Sequence, residues 1–460
     1  MQDDKAVEFR LIRSNRPHMR AFHNSWWGFF VAFFCWFAIV PLLGDIQSDL
    51  GLSDHEVFVS NIVGVGGTIL VRFILGPLCD QYGPRRLFSL VLVISSIATA
   101  CTGLVQTATG LSVLRFFTGI AGGAFVTCQY WTSRMFAKEI VGSANALVGG
   151  WGNVGATFTP LVVGGALYPL FITICGGNSE LAWRTVSIVP AFVGLVTGIA
   201  ILYTTDDSPR GNYSELKKHG IIPKCGSVKN SAVQGAKNFN SWLLFVQYAC
   251  CFGVELAMNA ATAKYYRDVF GQSSSSSVAI AGIFGWLNLF ARALGGFVSD
   301  WAMTVNSMRG RIWVQATLLL LLGISIIIFA NTHDLAGSII VLVFFSLFVQ
   351  ATEGSTFGIV PYVNPPCMGT VIGIVGAGGN AGAVAFGFIF RSLDYHTAYT
   401  TIGAIVIFSS LLSCLISIKG FAGIFWGRDE DVDKETGEIV IGETPTASSE
   451  GVDELESSGV

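Results

Sequence analysis

Charged side chains are scarce in this chain of 460 residues, since Asp, Glu, Lys and Arg together make up only 12%. Hydrophobic residues account for 52%, and the mean hydropathy is +0.60. Soluble globular domains carry roughly twice this share of charged residues. The composition therefore excludes an ordinary soluble protein and indicates an integral membrane protein.

The sequence also lacks the motifs of enzymes and metal sites. It has no phosphate-cradling loop, no nucleophile elbow and no metal-ligand spacing of His and Cys, and its six histidines are scattered. Most of its ten cysteines lie in apolar segments, where a free thiol packs as a small hydrophobic group. We therefore expect no enzyme activity, no cofactor, no metal, no disulfide framework and no nucleic-acid partner.

What the chain contains instead is a series of apolar segments of about 20 residues, the length of a helix that crosses a bilayer. Strands of a membrane barrel would be shorter and would alternate in polarity. The predicted fold is an all-α membrane protein with twelve transmembrane helices in two six-helix bundles. The predicted segments are 26–44, 57–78, 87–106, 111–134, 143–168, 184–204, 241–263, 278–300, 311–330, 336–358, 368–390 and 397–418.

A polar stretch between the sixth and seventh segments divides the chain. We predict an N-terminal arm at 1–25, a six-helix bundle at 26–204, a linker at 205–240, a second six-helix bundle at 241–426 and a disordered acidic tail at 427–460. With the arm in the cytosol, 20 of the 27 Lys and Arg residues fall on the cytosolic side and four fall outside. The positive-inside rule therefore assigns the arm, the linker, the tail and both termini to the cytosol.

Two glycine-asparagine segments are copies of each other, since the pattern at 149–156 returns at 376–383. Glycines spaced three and four residues apart allow another helix to approach closely, so we interpret them as packing surfaces. The asparagine is then the only polar group on that face of each helix. The signature glycines are Gly149, Gly152, Gly155, Gly376, Gly379 and Gly382, and the asparagines are Asn153 and Asn380.

A pair of arginines is duplicated in the same way. Arg72 precedes Asp80 by eight residues in the second segment, and Arg292 precedes Asp300 by eight residues in the eighth. Parallel repeats of this kind are typical of transporters whose site lies between two bundles near the middle of the membrane. A charge within a membrane helix is costly and normally faces a polar pathway. We interpret both arginines as pathway residues; the structural alternative ties them to backbone carbonyls or to an acid within the bundle.

The loop after the second segment, from Gly76 to Arg86, resembles the signature loop of the major facilitator superfamily. The stretch from Gly295 to Asp300 resembles its second copy, and Arg115 opens a third superfamily-like motif, where we favour a structural or coupling role. This resemblance implies the major facilitator fold. It also implies a gating loop formed by Asp80, Arg85, Arg86 and Asp300.

The glycine-asparagine segments resemble the paired nitrate signatures of the nitrate/nitrite porter family. The resemblance extends from about Trp26 to Lys419, and it places Arg72 and Arg292 where that family has its substrate arginines. Alternatively, the asparagines bind a neighbouring backbone and the aromatic residues fill the core. The substrate residues that the resemblance implies are Arg72, Arg292, Asn153, Asn380, Phe125, Tyr248 and Phe252.

Nitrate is planar and monovalent, and the planar fork of donors on a guanidinium can bind two of its oxygens. Moving an anion into a cell against an inside-negative potential costs about 2.3 kcal/mol per 100 mV, so accumulation requires co-transported cations. Glu255 and Glu353, both inside apolar segments, are the coupling candidates, unless they pair with helix-end donors. We predict a secondary active transporter that carries nitrate, and also nitrite, by alternating access in symport with protons.

Two other functions stay open at this point. A nitrate/nitrite exchanger would need no coupling role for the two glutamates, and a nitrate-sensing receptor would bind the anion without sustained flux. The long tails are more like those of the eukaryotic branch of the porter family. The resemblance therefore also implies a plasma membrane location, with the lipid bilayer around the helices, and it allows a single-span accessory subunit.

Overall fold

The computed structural model describes residues 4–218, 227–427 and 429, which fold almost entirely into helices. Eleven helical segments in these ranges are long and apolar enough to cross a membrane. One of them, Ser274–Ala330, has 57 residues. At 1.5 Å per residue it would extend about 85 Å, far more than a hydrocarbon core of about 30 Å.

That segment consists of two helices separated by a reversal of the chain. Asn306 and Ser307 have non-helical backbone, and Ser307 has a positive φ of 50°. After the break, Gly310 lies so close to Ala302 that a Cβ on the glycine would be 2.1 Å from the Ala302 carbonyl oxygen. The described part of the chain therefore has twelve membrane helices, as the apolar segments predict.

Each membrane helix overlaps one predicted segment, although the ends differ by several residues. The first helix begins at His18, so the end of the predicted arm at 1–25 is helical. The predicted tail lies outside the described residues except for Gly427 and Asp429. The helices are α1 (His18–Leu50), α2 (Asp54–Tyr82), α3 (Pro84–Leu104), α4 (Ala108–Met135), α5 (Val141–Ile174), α6 (Ser179–Thr204), α7 (Phe239–Phe270), α8 (274–305), α9 (308–330), α10 (Leu335–Val363), α11 (Pro365–Ser392) and α12 (Tyr395–Leu415).

Every even-numbered helix begins with a short polar side chain that accepts a hydrogen bond from a backbone N–H of the first turn. Such caps satisfy donors that have no partner within the helix, and they fix where the helix starts. The capping residues are Ser53, Thr107, Asn178, Ser273, Asp334 and Asp394. Helix polarity places all six caps on the same side of the protein.

The linker contains a helix, Val228–Lys237, which the sequence analysis did not predict. This linker helix packs against α2 and α11. Ser227 begins it by accepting a hydrogen bond from the backbone N–H of Asn230, at 3.3 Å. We call the side of the protein that carries the linker the linker side, and the side that carries the six caps the far side.

Eight of the described cysteines are free thiols, and five of these are buried, in agreement with the sequence analysis. Cys367 differs, because it is disulfide-bonded. It lies in the short 3-10 turn Pro365–Cys367 on the linker side, not in the apolar body of a helix. The expectation of no disulfide framework did not include this single bond.

Candidate functional site

The structure brings the two duplicated arginines together at the interface between the halves. Arg72 lies in α2 and Arg292 in α8, and their guanidinium carbons are 5.6 and 5.9 Å from the centroid of the same ring, that of Phe252. Arg72 is 0% exposed and Arg292 is 2% exposed. Two positive charges from opposite halves therefore share one buried location.

Each guanidinium has donors that remain free among the described residues. Arg72 donates from Nε to the Gly122 carbonyl at 2.9 Å and from Nη1 to the Gly376 carbonyl, whereas its Nη2 has no partner. Arg292 approaches the Tyr248 hydroxyl through Nη2 at 3.5 Å, and its Nε and Nη1 have no partner. A buried donor without a partner costs about 1–3 kcal/mol, more when charged. An anion that accepts from these groups would remove that cost.

Aromatic rings surround the arginines. Phe125 of α4 stacks with Tyr248 of α7, with ring centroids 5.9 Å apart, and Tyr248 stacks with Phe252 at 5.5 Å. The Arg72 guanidinium lies 4.8 Å from the Phe125 centroid. The three aromatic residues that the family resemblance implied are thus adjacent to one another and to Arg72.

A fourth ring, Phe357 of α10, lies beside these three and is not among the residues predicted from the sequence. It meets Phe125 and Tyr248 edge-on at 5.0 and 5.2 Å. Phe357 follows Phe125 by 232 positions, close to the 220 and 227 positions that separate the arginines and the asparagines. Alignment of α4 with α10 as repeats would have identified it.

The signature glycines fall into two groups, and the division is the same in both halves. Gly149 and Gly376 face the site: a Cβ on Gly149 would be 3.3 Å from Arg292 Nη1, and one on Gly376 would be 3.3 Å from the Phe125 ring. The other four pack against the first helix of their own half, α1 or α7. Their closest atoms belong to Phe29 for Gly152, Phe30 for Gly155, Phe252 for Gly379 and Ala249 for Gly382.

The two asparagines have different surroundings. Asn153 donates from Nδ2 to Glu255 Oε1 at 2.8 Å, and Asn288 donates to the same oxygen at 2.6 Å. Asn153 thus joins a polar cluster across the halves, while Oε2 of Glu255 has no partner within the described ranges. Asn380 is 0% exposed, and neither its nitrogen nor its oxygen has a described partner.

The second coupling candidate, Glu353 of α10, forms an ion pair with Arg292. Both side chains are almost fully buried. The contacts of the arginines therefore include those of the structural alternative, namely carbonyls for Arg72 and an acid for Arg292. The structural alternative does not explain the donors without partners or the shared location of the two arginines, because a purely structural guanidinium would have its donors satisfied.

Two aspartates close the interface on the linker side. Asp80 of α2 accepts from the backbone N–H groups of Gly369 and Thr370, at 2.8 and 3.1 Å, at the start of α11. Asp300 of α8 accepts from those of Gly142 and Ser143, at 3.1 and 2.6 Å, around the start of α5. Each half thus provides a carboxylate for a helix start of the other half, an arrangement that we call the linker-side gate.

The arginines of the predicted gating loop lie elsewhere. Arg85 donates to the carbonyls of Leu202 and Thr205, at 2.9 and 3.2 Å, and lies 3.9 Å from the Asp207 carboxylate. Arg86 is exposed. The structure does not bring Arg85 and Arg86 together with the two aspartates, because α3 directs these side chains toward the end of α6 and the solvent.

A cavity of about 1590 Å³ lies in the far-side half of the interface. It is lined from one half by residues such as Trp36, Asn61 and Ala156, and from the other by residues such as Leu256 and Gly282. The cavity and the linker-side gate lie on opposite sides of the arginine pair. Within the described ranges no group of three or more His, Cys, Asp or Glu side chains is placed to hold a metal ion.

The sequence profile of the Major Facilitator Superfamily matches residues 25–387. The high affinity nitrate transporter 2.5 of Arabidopsis thaliana is 35% identical over 431 residues, covering 92% of this chain and 85% of the relative. The high-affinity nitrate transporter 2.3 of Oryza sativa subsp. japonica is 36% identical over 432 residues, covering 92% and 83%. The nitrate/nitrite transporter NrtP of Nostoc punctiforme is 27% identical over 494 residues, covering 91% and 95%.

Solved structures with the same fold are more distant in sequence. The proton:xylose symporter XylE has a TM-score of 0.61 at 15% identity, covering 85% of this chain and 94% of that chain. The human organic anion transporter MFSD10 has a TM-score of 0.60 at 14% identity, covering 86% and 100%. At this level of identity the likeness concerns the fold alone.

Proposed function

Because the chain belongs to the nitrate/nitrite porter family of the major facilitator superfamily, we propose that it carries nitrate, and also nitrite, across the membrane in symport with protons. The observation that carries the proposal is the pair of buried guanidinium groups, Arg72 and Arg292, over the Phe252 ring. They come from opposite halves and retain free donors. A small planar anion is the ligand that this arrangement suits.

The anion would lie between the two arginines. The Nη2 of Arg72 and the Nε and Nη1 of Arg292 can donate to its oxygens. Charge-assisted hydrogen bonds of this kind are the strong ones, and two guanidinium forks favour a planar oxyanion over a spherical ion. The rings of Phe125 and Tyr248 exclude water, which strengthens these interactions.

The charge of the buried core supports proton coupling. With both glutamates ionised, the two negative charges of Glu255 and Glu353 balance the two positive charges of Arg72 and Arg292, all four of them buried. Nitrate adds one negative charge, and a buried charge without compensation is strongly destabilising. A proton on one glutamate restores neutrality, and protons on both glutamates carry one net positive charge inward with each nitrate. Glu353 is the more direct site, since it competes with the anion for Arg292.

The opposed cavity and gate support alternating access. The far-side cavity lies on one side of the arginine pair, whereas Asp80 and Asp300 join the two halves on the linker side. We take the linker side as cytosolic, so that both termini lie in the cytosol of a cell with this protein in its plasma membrane. The present conformation is then open to the outside as far as the cavity, whose described lining does not include the two buried arginines. Release would require both aspartates to leave the helix starts that they cap.

Voltage clamp of cells that express the full chain, alone and with a single-span accessory subunit, tests the proposal. We expect nitrate to evoke an inward current that grows at acid pH and persists when sodium is replaced. A current that depends on sodium would contradict proton coupling. Uptake of nitrate only in exchange for internal nitrite, without current, would indicate the exchanger. Nitrate binding without uptake by surface-expressed protein would indicate a receptor.

A further inference from the structure

Arg115 of α4 is a buried guanidinium that the proposed transport site does not use. It is 6% exposed and lines the far-side cavity together with Asn61 of α2. Its Nη2 donates to Asn61 Oδ1, whereas its Nε and Nη1 have no partner among the described residues. Like Arg72, it is a buried arginine with free donors that forms no ion pair in the described part of the chain.

The backbone fixes this side chain between two helices. Gly64 of α2 lies against α4 so closely that a Cβ on it would be 3.1 Å from the Arg115 carbonyl oxygen. Asn61 lies about one turn before Gly64 on the same helix. Because the guanidinium occupies Oδ1 of Asn61, the amide nitrogen is the group of that side chain that can donate to a ligand.

Arg115 is well separated from the arginine pair. It precedes Phe125 by ten residues in α4, which at 1.5 Å per residue corresponds to about 15 Å along the helix. Because α4 begins on the far side, this displacement is toward the cavity entrance. An ion at Arg115 would therefore occupy a different position from one between Arg72 and Arg292.

The charge of the cavity wall also favours anions. Arg115, Lys264 and Arg391 line it, whereas Asp54 is the one acidic residue in the described part of the chain that does so. The Asp54 carboxylate accepts a hydrogen bond from Gln47 at 2.7 Å. A cleft lined mainly by one sign of charge raises the local concentration of ions of the opposite sign. The excess of positive charge therefore draws anions toward Arg115.

We propose that Arg115 and Asn61 form a second binding site, for a monovalent oxyanion, that is occupied before the anion reaches Arg72 and Arg292. The inference rests on the proposed function for the choice of nitrate as ligand. We call the site between Arg72 and Arg292 the inner site and the site at Arg115 the outer site. Nitrate bound at the outer site raises the local concentration of anion near the inner site. Loss of the Arg115 charge should raise the external KM for nitrate by about tenfold, the effect of one charge-assisted hydrogen bond, while kcat changes little.

Equilibrium binding of radiolabelled nitrate to the purified full chain, with gluconate in place of chloride, tests the site. We expect two saturable nitrate ions in the native protein and one in the double variant Arg72→Ala, Arg292→Ala. Adding Arg115→Gln to the double variant should abolish binding of the remaining nitrate ion, whereas adding Arg115→Lys should preserve it. Glutamine can still donate to Asn61 Oδ1, so it keeps the link between α2 and α4 while removing the charge.

A matched thermal unfolding measurement separates binding from structure. Arg115→Gln should unfold at a temperature close to that of the native protein. Asn61→Ala removes the hydrogen bond between Asn61 and Arg115 but keeps the charge of Arg115, so nitrate binding at Arg115 should be weaker but still detectable. No saturable nitrate in the double variant, or unchanged binding after Arg115→Gln, would overturn the second site. If Arg72→Ala lowers the number of bound nitrate ions by one and Arg115→Gln does not change it, the second site is excluded while the proposed function stands. Outer binding without any transport of nitrate would instead contradict the proposed function alone.

Discussion

Asp80 and Asp300 occupy equivalent places in the two halves, and each accepts hydrogen bonds from the first backbone N–H groups of a helix in the other half. The start of a helix carries partial positive charge, so a carboxylate there is favourable. The contacts are not identical, since Asp80 also accepts from Ser231 of the linker helix at 2.7 Å, whereas Asp300 pairs with Arg311 of α9. The linker-side gate is therefore a symmetric pair of caps with different supports.

Replacement of the gate carboxylates should open the linker side. Asp80→Asn keeps the size of the side chain but loses the charge and part of its acceptor capacity, which costs about 1–3 kcal/mol. We expect faster hydrogen exchange at the amides of Gly369 and Thr370, measured by mass spectrometry on the purified chain. Arg86→Gln is the control, because Arg86 is exposed near the start of the next helix, α3. Equal exchange in Asp80→Asn and native protein would show that the carboxylate does not hold the gate.

The signature glycines give a second prediction, which compares two positions on α11. A Cβ on Gly379 would be 2.5 Å from the Phe252 ring, whereas one on Gly387 would meet nothing within 4 Å. Overpacking a close contact typically costs about 1–3 kcal/mol. Gly379→Ala should therefore lower the unfolding temperature and nitrate uptake, while Gly387→Ala should leave both close to native. Similar behaviour of the two variants would mean that close packing on α7 is not what the glycine provides.

The sequence predicts much of the fold because hydrophobic length and internal duplication are local signals. The twelve helices follow from apolar segments, and the pairing of Arg72 with Arg292 follows from their equal spacing to an aspartate. By contrast, the bond between Asn153 and Glu255 joins α5 to α7 across 102 positions, and no local pattern specifies it. The linker helix was missed because its polar sequence resembles a loop, although Ser231 is buried against Asp80.

Replacement of the two buried glutamates, Glu255 and Glu353, should affect proton coupling to different degrees. In Glu353→Gln, Arg292 loses its ionised partner, so nitrate no longer competes with a carboxylate for this guanidinium. We expect nitrate binding to persist with weaker pH dependence and nitrate-driven proton uptake into proteoliposomes to fall to background. Glu255→Gln retains an oxygen that Asn153 and Asn288 can bind, so its proton uptake should fall less. The opposite order would assign the coupling proton to Glu255.

The last prediction concerns Arg72, whose three donor nitrogens have different tasks. Nε and Nη1 bind the carbonyls of Gly122 and Gly376, which belong to α4 and α11, and Nη2 is left for the anion. Lysine offers a single ammonium at the end of a flexible stem, so it cannot hold both carbonyls and also present a fixed donor.

We therefore expect Arg72→Lys to lower nitrate affinity about tenfold to hundredfold, the effect of one lost charge-assisted hydrogen bond of about 1.5–3 kcal/mol. Arg72→Ala should abolish saturable uptake. Tracer uptake, normalised to the amount of protein at the cell surface, gives both values, and Arg86→Lys serves as the control for an arginine outside the site. Near-normal affinity in Arg72→Ala at normal surface amounts would place the anion elsewhere, because no buried cation from this half would then be needed to bind it.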